Sequence, residues 1–204
     1  MTRAASPNTR RTGDVRVQGR AARIVNEVLR TTAEELTRVG YVALRVEDVA
    51  LRSSVNKTTI YRRWPTKPEL VAAALRFAVR RPEAPDTGSL RGDLLEAIAA
   101  SVRTATSPIA RGLWQMMQAE RSHPEVERIA TALRNEMRTG RAALVARAMS
   151  RGELPSGTDP MLIADLASAP VLSRLLTFSE SVDDTFIAKV VDIVLAGARA
   201  TKSS

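Results

Sequence analysis

The segment "NKTTIYRRWPTK", Asn56 to Lys67, gathers four cations, three threonines and two aromatics around one aliphatic residue, Ile60. These are binding groups rather than bond-making ones. Lys and Arg neutralise phosphates, Thr and Tyr hydroxyls donate to them, and an Arg fork matches the O6/N7 edge of guanine. Elsewhere the chain offers little for catalysis. It has no Cys and a single His, which excludes a disulfide framework, a thiolate metal site and a cysteine nucleophile. His123 has Glu120, Glu125 and Glu127 nearby, but one imidazole among solvent-facing acids is no metal site. No glycine-rich phosphate loop follows a strand, and no acid pair has a spacing that argues for hydrolysis. A binding protein without metal or cofactor is expected, not an enzyme.

The charge distribution supports a polyanionic partner. The chain carries a net +9 over 204 residues. Up to Arg81 there are 17 Lys and Arg against 7 Asp and Glu, and beyond it 14 against 15. The positive excess therefore lies wholly in the first two fifths, where a merely solvated surface would spread it. The arginines Arg3, Arg10, Arg11, Arg16, Arg20 and Arg23 form a basic N-terminal arm, expected to be disordered over residues 1–18. It either follows phosphates and a minor groove or only adds nonspecific affinity, with contact favoured for Arg16 and Arg20.

The elements that must position this segment read as helices. Aromatics make up only 3% of the chain and no strand-like alternation persists, so an all-α fold is expected. Residues 19–39 carry an apolar stripe through Val25, Val28, Leu29, Leu36 and Val39, and Gly40 follows as a helix terminator. Residues 46–53 form a second short helix, and residues 57–64 a third, stopped by Pro65. "PTKPEL" opens a fourth, with Thr66 as N-cap, Pro68 in the first turn and Glu69 three residues after the cap. Val49, Ala50, Val55, Ile60 and Trp64 are the apolar residues shared by helices two and three. The pair then has the dimensions of a helix-turn-helix, which leaves Lys57, Thr58, Thr59, Tyr61, Arg62 and Arg63 outward for a DNA groove.

"RPEAPDTGS", Arg81 to Ser89, reads as a linker. The expected organisation is an arm at 1–18, a DNA-binding domain at 19–81 that includes the connecting helix, and a helical domain at 82–204. Five more helices are expected near 89–106, 108–121, 124–151, 159–178 and 183–199, about nine in all. On the long helix and the one before it, Trp114, Met117, Leu133 and Met137 join Phe77 as candidate lining for a small apolar or amphipathic ligand; ordinary core is the competing account. The last two helices are apolar on wide faces, and Leu166, Leu176, Phe186, Val191 and Leu195 are the candidate interface of a homodimer, whose four-helix bundle would bury them. Packing inside one monomer is the alternative. The N-terminus lacks an apolar signal core and no stretch is long enough to span a bilayer, so a cytoplasmic protein with no membrane partner is expected.

"GYVALRVEDVALRSSVNKTTIYRRWPTKPELVAAAL", Gly40 to Leu75, resembles the DNA-binding region of the tetracycline-repressor (TetR) family of bacterial regulators. The resemblance rests on Gly40-Tyr41, Val49-Ala50, Val55, Lys57, Ile60-Tyr61, an aromatic at Trp64, and Lys67 with Leu70. With the preceding helix it covers about residues 20–80, and "ADLASAPVLSRLL", Ala164 to Leu176, is similar to the family's penultimate helix. The resemblance implies a homodimer whose third helices enter successive major grooves of a palindromic double-stranded DNA operator, with release by a ligand bound in the C-terminal domain. A DNA-binding regulator with no small-molecule effector is the alternative. By position it implies Lys57, Thr58 and Thr59 at the start of the reading helix, Tyr61 and Lys67 on phosphates, and Arg62 and Arg63 on bases or phosphates. The chain departs from the family pattern at five positions. Ser54 stands where glycine is common in the turn, and Arg45 replaces a hydroxyl cap while offering a guanidinium for phosphate. Asn56 replaces a capping Ser, and Thr58 and Arg63 replace a small residue and a histidine.

Overall fold

The computed structural model describes residues 11–79 and 84–200, with side chains from Gly19 onward. Among them are nine helices and no strand: α1 (Arg11–Ala43), α2 (Val46–Ser53), α3 (Lys57–Arg63), α4 (Lys67–Ala78), α5 (Leu90–Ala105), α6 (Pro108–Ala119), α7 (Pro124–Ser150), α8 (Pro160–Leu176) and α9 (Asp184–Ala200). The fold is all-α, as expected. The chain divides into two compact units, one ending at Phe77 and the other beginning at Ala78. That boundary lies inside α4 rather than at the proline-rich stretch, because compactness follows packing whereas a composition change marks only where packing is no longer needed.

Local chemistry sets the helix ends. α1 is interrupted at Gly40, whose φ of 79° and ψ of 176° only glycine adopts without strain. Its other end differs from expectation. The helix begins at Arg11 rather than Gly19, so part of the expected arm is helical; no proline follows Pro7 there, and each residue added to a formed helix gains a backbone hydrogen bond. The rest of the arm, including Arg3 and Arg10, lies outside the described residues. In the second unit, serines, a histidine and an aspartate cap successive helices. Ser89 accepts from Gly92 N, Ser107 from Ala110 N, His123 from Glu125 N, and Asp159 from Met161 N and Leu162 N. Proline occupies the first turn of α6, α7 and α8, where its missing N–H costs nothing. The one histidine therefore serves as a helix cap, with Nδ1 accepting at 3.3 Å.

The second unit packs α5, α7, α8 and α9 around Leu94, Ile98, Val145, Ala164, Ala167, Val171, Ile187, Val191 and Leu195. Polar ties fix the stack. Arg138 holds Asp165 across α7 and α8, and Arg91 reaches Asp192 at 2.7 Å across α5 and α9. Asp93 is fully buried and receives the Thr87 amide at 2.7 Å, the Thr87 hydroxyl at 2.9 Å, Arg147 at 2.9 Å and Arg151 at 3.3 Å. Burial pushes the Asp93 carboxyl up, but those donors together hold it below the usual range.

Two of the candidate interface residues belong to this core. Val191 is 0% and Leu195 3% exposed within the single chain, so the chain's own core already covers them. Ile187, Val191, Leu195 and Ala198 recur at helical spacing on the inner side of α9. The sequence showed that the apolar face was wide, but not which part of it faced the chain's own core. Leu166 is exposed, and Leu176 and Phe186 are half-buried. With Leu162 at 53% and Ile193 at 64% exposure, they leave apolar surface uncovered on the outer sides of α8 and α9.

Leu133 is buried on α7, Trp114 and Met117 are half-buried on α6, and Met137 is half-buried on α7. Phe77, also half-buried, ends the other unit.

Candidate nucleic-acid interface

In the first unit α3 packs on α2, and α2 on α1. Asn56 starts this helix by accepting the Thr58 N–H at 2.8 Å, the interaction that lowers the cost of a helix N-terminus. Trp64 closes it, donating its backbone N–H to Ile60 O at 2.9 Å, with Pro65 next in the chain. Ile60 is 1% exposed and Val49 of α2 is 0% exposed, and burying an isoleucine side chain contributes about 1.5–3 kcal/mol. Ala50, Val55 and Trp64 are half-buried. The core is therefore narrower than the five residues expected, with Ile60 as the anchor of α3.

The turn between the two helices is tight. Ser54 takes a left-handed conformation, φ 53° and ψ 31°, and the next amide, Val55, donates back to Ala50 O at 3.1 Å. This closes α2 as a glycine would, at some backbone cost to a residue with a Cβ. α2 also begins without a side-chain cap, since Arg45 makes no capping bond. Its guanidinium side chain is exposed instead.

Fixing Ile60 inward fixes what faces out, at 3.6 residues per turn. Thr58 and Arg62 stand opposite it. Lys57 and Tyr61 lie on one flank, with the Lys57 ammonium 5.9 Å from the centre of the Tyr61 ring. Thr59 and Arg63 lie on the other, where with Arg62 they line a hollow of about 230 Å³ together with Ile24, Val25, Val28 and Ile60. Arg63 sits 5.9 Å from the Trp64 ring. Thr58, Thr59, Arg62 and Arg63 are exposed and Tyr61 is half-buried.

Lys67 comes from a different element but the same unit. Thr66 and Glu69 form a reciprocal capping box, with Thr66 N donating to Glu69 Oε2 at 3.2 Å and Glu69 N to Thr66 Oγ1 at 3.4 Å. That places Lys67 at the positive end of the α4 dipole. Its ammonium donates to Val42 O at 3.2 Å, an intramolecular contact that the sequence did not disclose.

Two acids that sequence reasoning passed over shape the unit. Glu35 of α1 is 1% exposed and is clamped by Arg38 at 2.6 Å and by Arg52 of α2 at 2.9 Å. The Arg38 hydrogen bond, with both arginine charges, holds its carboxyl below the ordinary range despite burial. Glu47 pairs with Lys57 at 2.7 Å. Arg38 lies one helical turn from Glu35 on α1, but the Arg52–Glu35 and Lys57–Glu47 pairs join different helices, so no spacing rule along one helix exposes those two.

This geometry is that of a helix-turn-helix unit, and the comparisons agree. Residues 28–74 match the bacterial regulatory proteins of the tetR family, and residues 84–194 match the tetracyclin repressor-like C-terminal domain. The chain belongs to the TetR family. It is 34% identical over 174 residues to a DNA-binding transcriptional repressor, TetR, of Mycobacteroides abscessus, covering 82% of this chain and 90% of that protein. It is 28% identical over 186 residues to the HTH-type transcriptional regulator AqdR of Rhodococcus erythropolis, covering 89% and 88%. The crystal structure of the TetR family transcription regulator SCO0332 matches with a TM-score of 0.63 and 30% identity, over 85% of this chain and 97% of that one. This TetR-family chain is a DNA-binding transcriptional regulator.

Proposed function

We propose that this regulator is a homodimeric repressor that binds a palindromic operator through α3 of each subunit and leaves it when a small apolar or amphipathic ligand binds the second unit. The observation that carries the DNA-binding part is the inward anchoring of Ile60, which turns Thr58 and Arg62 directly outward. Those two, with Thr59, read base edges; Lys57, Tyr61, Arg63, Lys67 and Arg45 meet phosphates, while Asn56 holds the start of the helix.

The homodimer is supported by the exposed apolar residues of α8 and α9: Leu162, Leu166 and Ile193. A surface of this kind marks an interaction site, and a two-fold pairing of these helices gives a four-helix bundle. Release by a ligand rests on family membership and on the half-buried Trp114, Met117 and Met137, side chains that adapt to an apolar guest.

Footprinting of the DNA upstream of the coding sequence, with and without candidate compounds, tests the whole reading. Two protected half-sites one helical turn or a multiple apart are expected. Loss of protection with a compound establishes an effector. Protection without symmetry overturns the dimer, and protection that survives every compound favours a regulator with no effector.

A further inference from the structure

The Lys57 ammonium, at the first residue of the reading helix, is already occupied. It donates to Glu47 Oε1 at 2.7 Å, across from the first turn of α2. Both side chains are about half exposed, 53% and 46%, so the pair stands on the surface that meets DNA. The neighbouring acid, Asp48, is half-buried and acts electrostatically on Arg38 of α1. Glu47 is thus the acid turned towards the reading helix. Its charge acts on Lys57 and, by the same proximity, on Arg45.

A carboxylate on a DNA-binding face opposes the sequence-blind attraction of cations to phosphate. An exposed ion pair is weak and easily exchanged. Loosely held DNA must compete with Glu47 for Lys57, whereas a duplex that fits α3 brings its own acceptor within reach. We infer that Glu47 is a specificity-determining positioning residue, which withholds Lys57 from the phosphates of unrelated DNA and releases it at the operator. This rests on the DNA-binding reading of α3.

The test uses the full-length chain and two duplexes, the footprinted operator and a scrambled sequence of equal length, in fluorescence anisotropy from 50 to 200 mM salt. Glu47→Gln is expected to tighten scrambled-DNA binding about threefold at the low end, to steepen its log–log salt slope by about 0.9 for the phosphate gained, and to lower the operator-to-scrambled ratio. In a Lys57→Gln background the same change is expected to do much less. An equal gain in both backgrounds shows general charge removal and overturns the role assigned to Glu47. So does a change confined to one operator base pair, which makes Glu47 a direct base reader. Failure of the parent chain to prefer the operator overturns the DNA-reading role of α3 itself, a distinguishable outcome.

Discussion

Lys67 places its ammonium 4.6 Å from the centre of the Tyr41 ring while donating to the Val42 carbonyl. Tyr41 is 4% exposed, so the contact ties the start of α4 to the interrupted end of α1. An ammonium has three donors, and a carbonyl contact is compatible with a phosphate contact from the same group. Lys67→Ala is expected to lower stability by about 1 kcal/mol and also to weaken operator and scrambled DNA alike. Thermal melting and anisotropy on the same variant separate the two effects. Unchanged melting with lost binding would reduce Lys67 to a phosphate contact only.

Ser54 occupies a left-handed position, φ 53°, that a glycine takes without a Cβ penalty. Ser54→Gly is expected to stabilise the first unit by about 0.5–1 kcal/mol, the relieved strain being partly offset by the greater freedom of glycine in the unfolded chain. Chemical denaturation measures this directly, and a destabilised variant would mean that the Ser54 side chain contributes more than its backbone costs.

Glu35 links α1 to α2 through Arg52, while Arg38 of α1 itself holds its other oxygen. Its carboxyl is held below the ordinary range, first by the Arg38 hydrogen bond. A depressed folded pKa means stability that is complete above the unfolded value, about 4.3, and lost as pH falls through the lower folded value. Glu35→Gln is expected to cost about 1–3 kcal/mol at pH 7. The deficit should shrink as both proteins are acidified below about pH 4. A deficit independent of pH would assign the cost to packing rather than to charge.

The outer and inner sides of α9 predict opposite phenotypes. Ile193→Glu, at a residue 64% exposed, is expected to leave each subunit folded and to abolish dimerisation in sedimentation velocity. Val191→Glu, at a fully buried residue, is expected to unfold the second unit, since a charge without a partner in a core is highly unfavourable. A folded dimer carrying Ile193→Glu would remove the outer face of α9 from the interface.

The helices and their ends were legible because the signals are local. Thr66 with Glu69, Asn56 before Lys57 and Gly40 after Val39 each act within a few residues, and the structure uses all three as helix boundaries. The outward set on α3 was equally readable, because one buried residue, Ile60, sets the rotation of so short a helix.

The charge partners and the division of the apolar faces were not legible. Glu35 with Arg52, Glu47 with Lys57, and Lys67 with Val42 all join residues on different elements. In α9 the periodicity of Val190, Val191, Val194 and Leu195 makes the helix apolar over a wide arc but cannot rank its sides. By itself the sequence determined an all-α chain with a basic, DNA-reading N-terminal part and a helical C-terminal part, since composition, caps and helical periodicity are properties of neighbours along the chain. Only the tertiary structure decided that Val191 and Leu195 belong to the chain's own core and that an acid sits on Lys57, because burial and long-range ion pairing depend on which elements pack against each other.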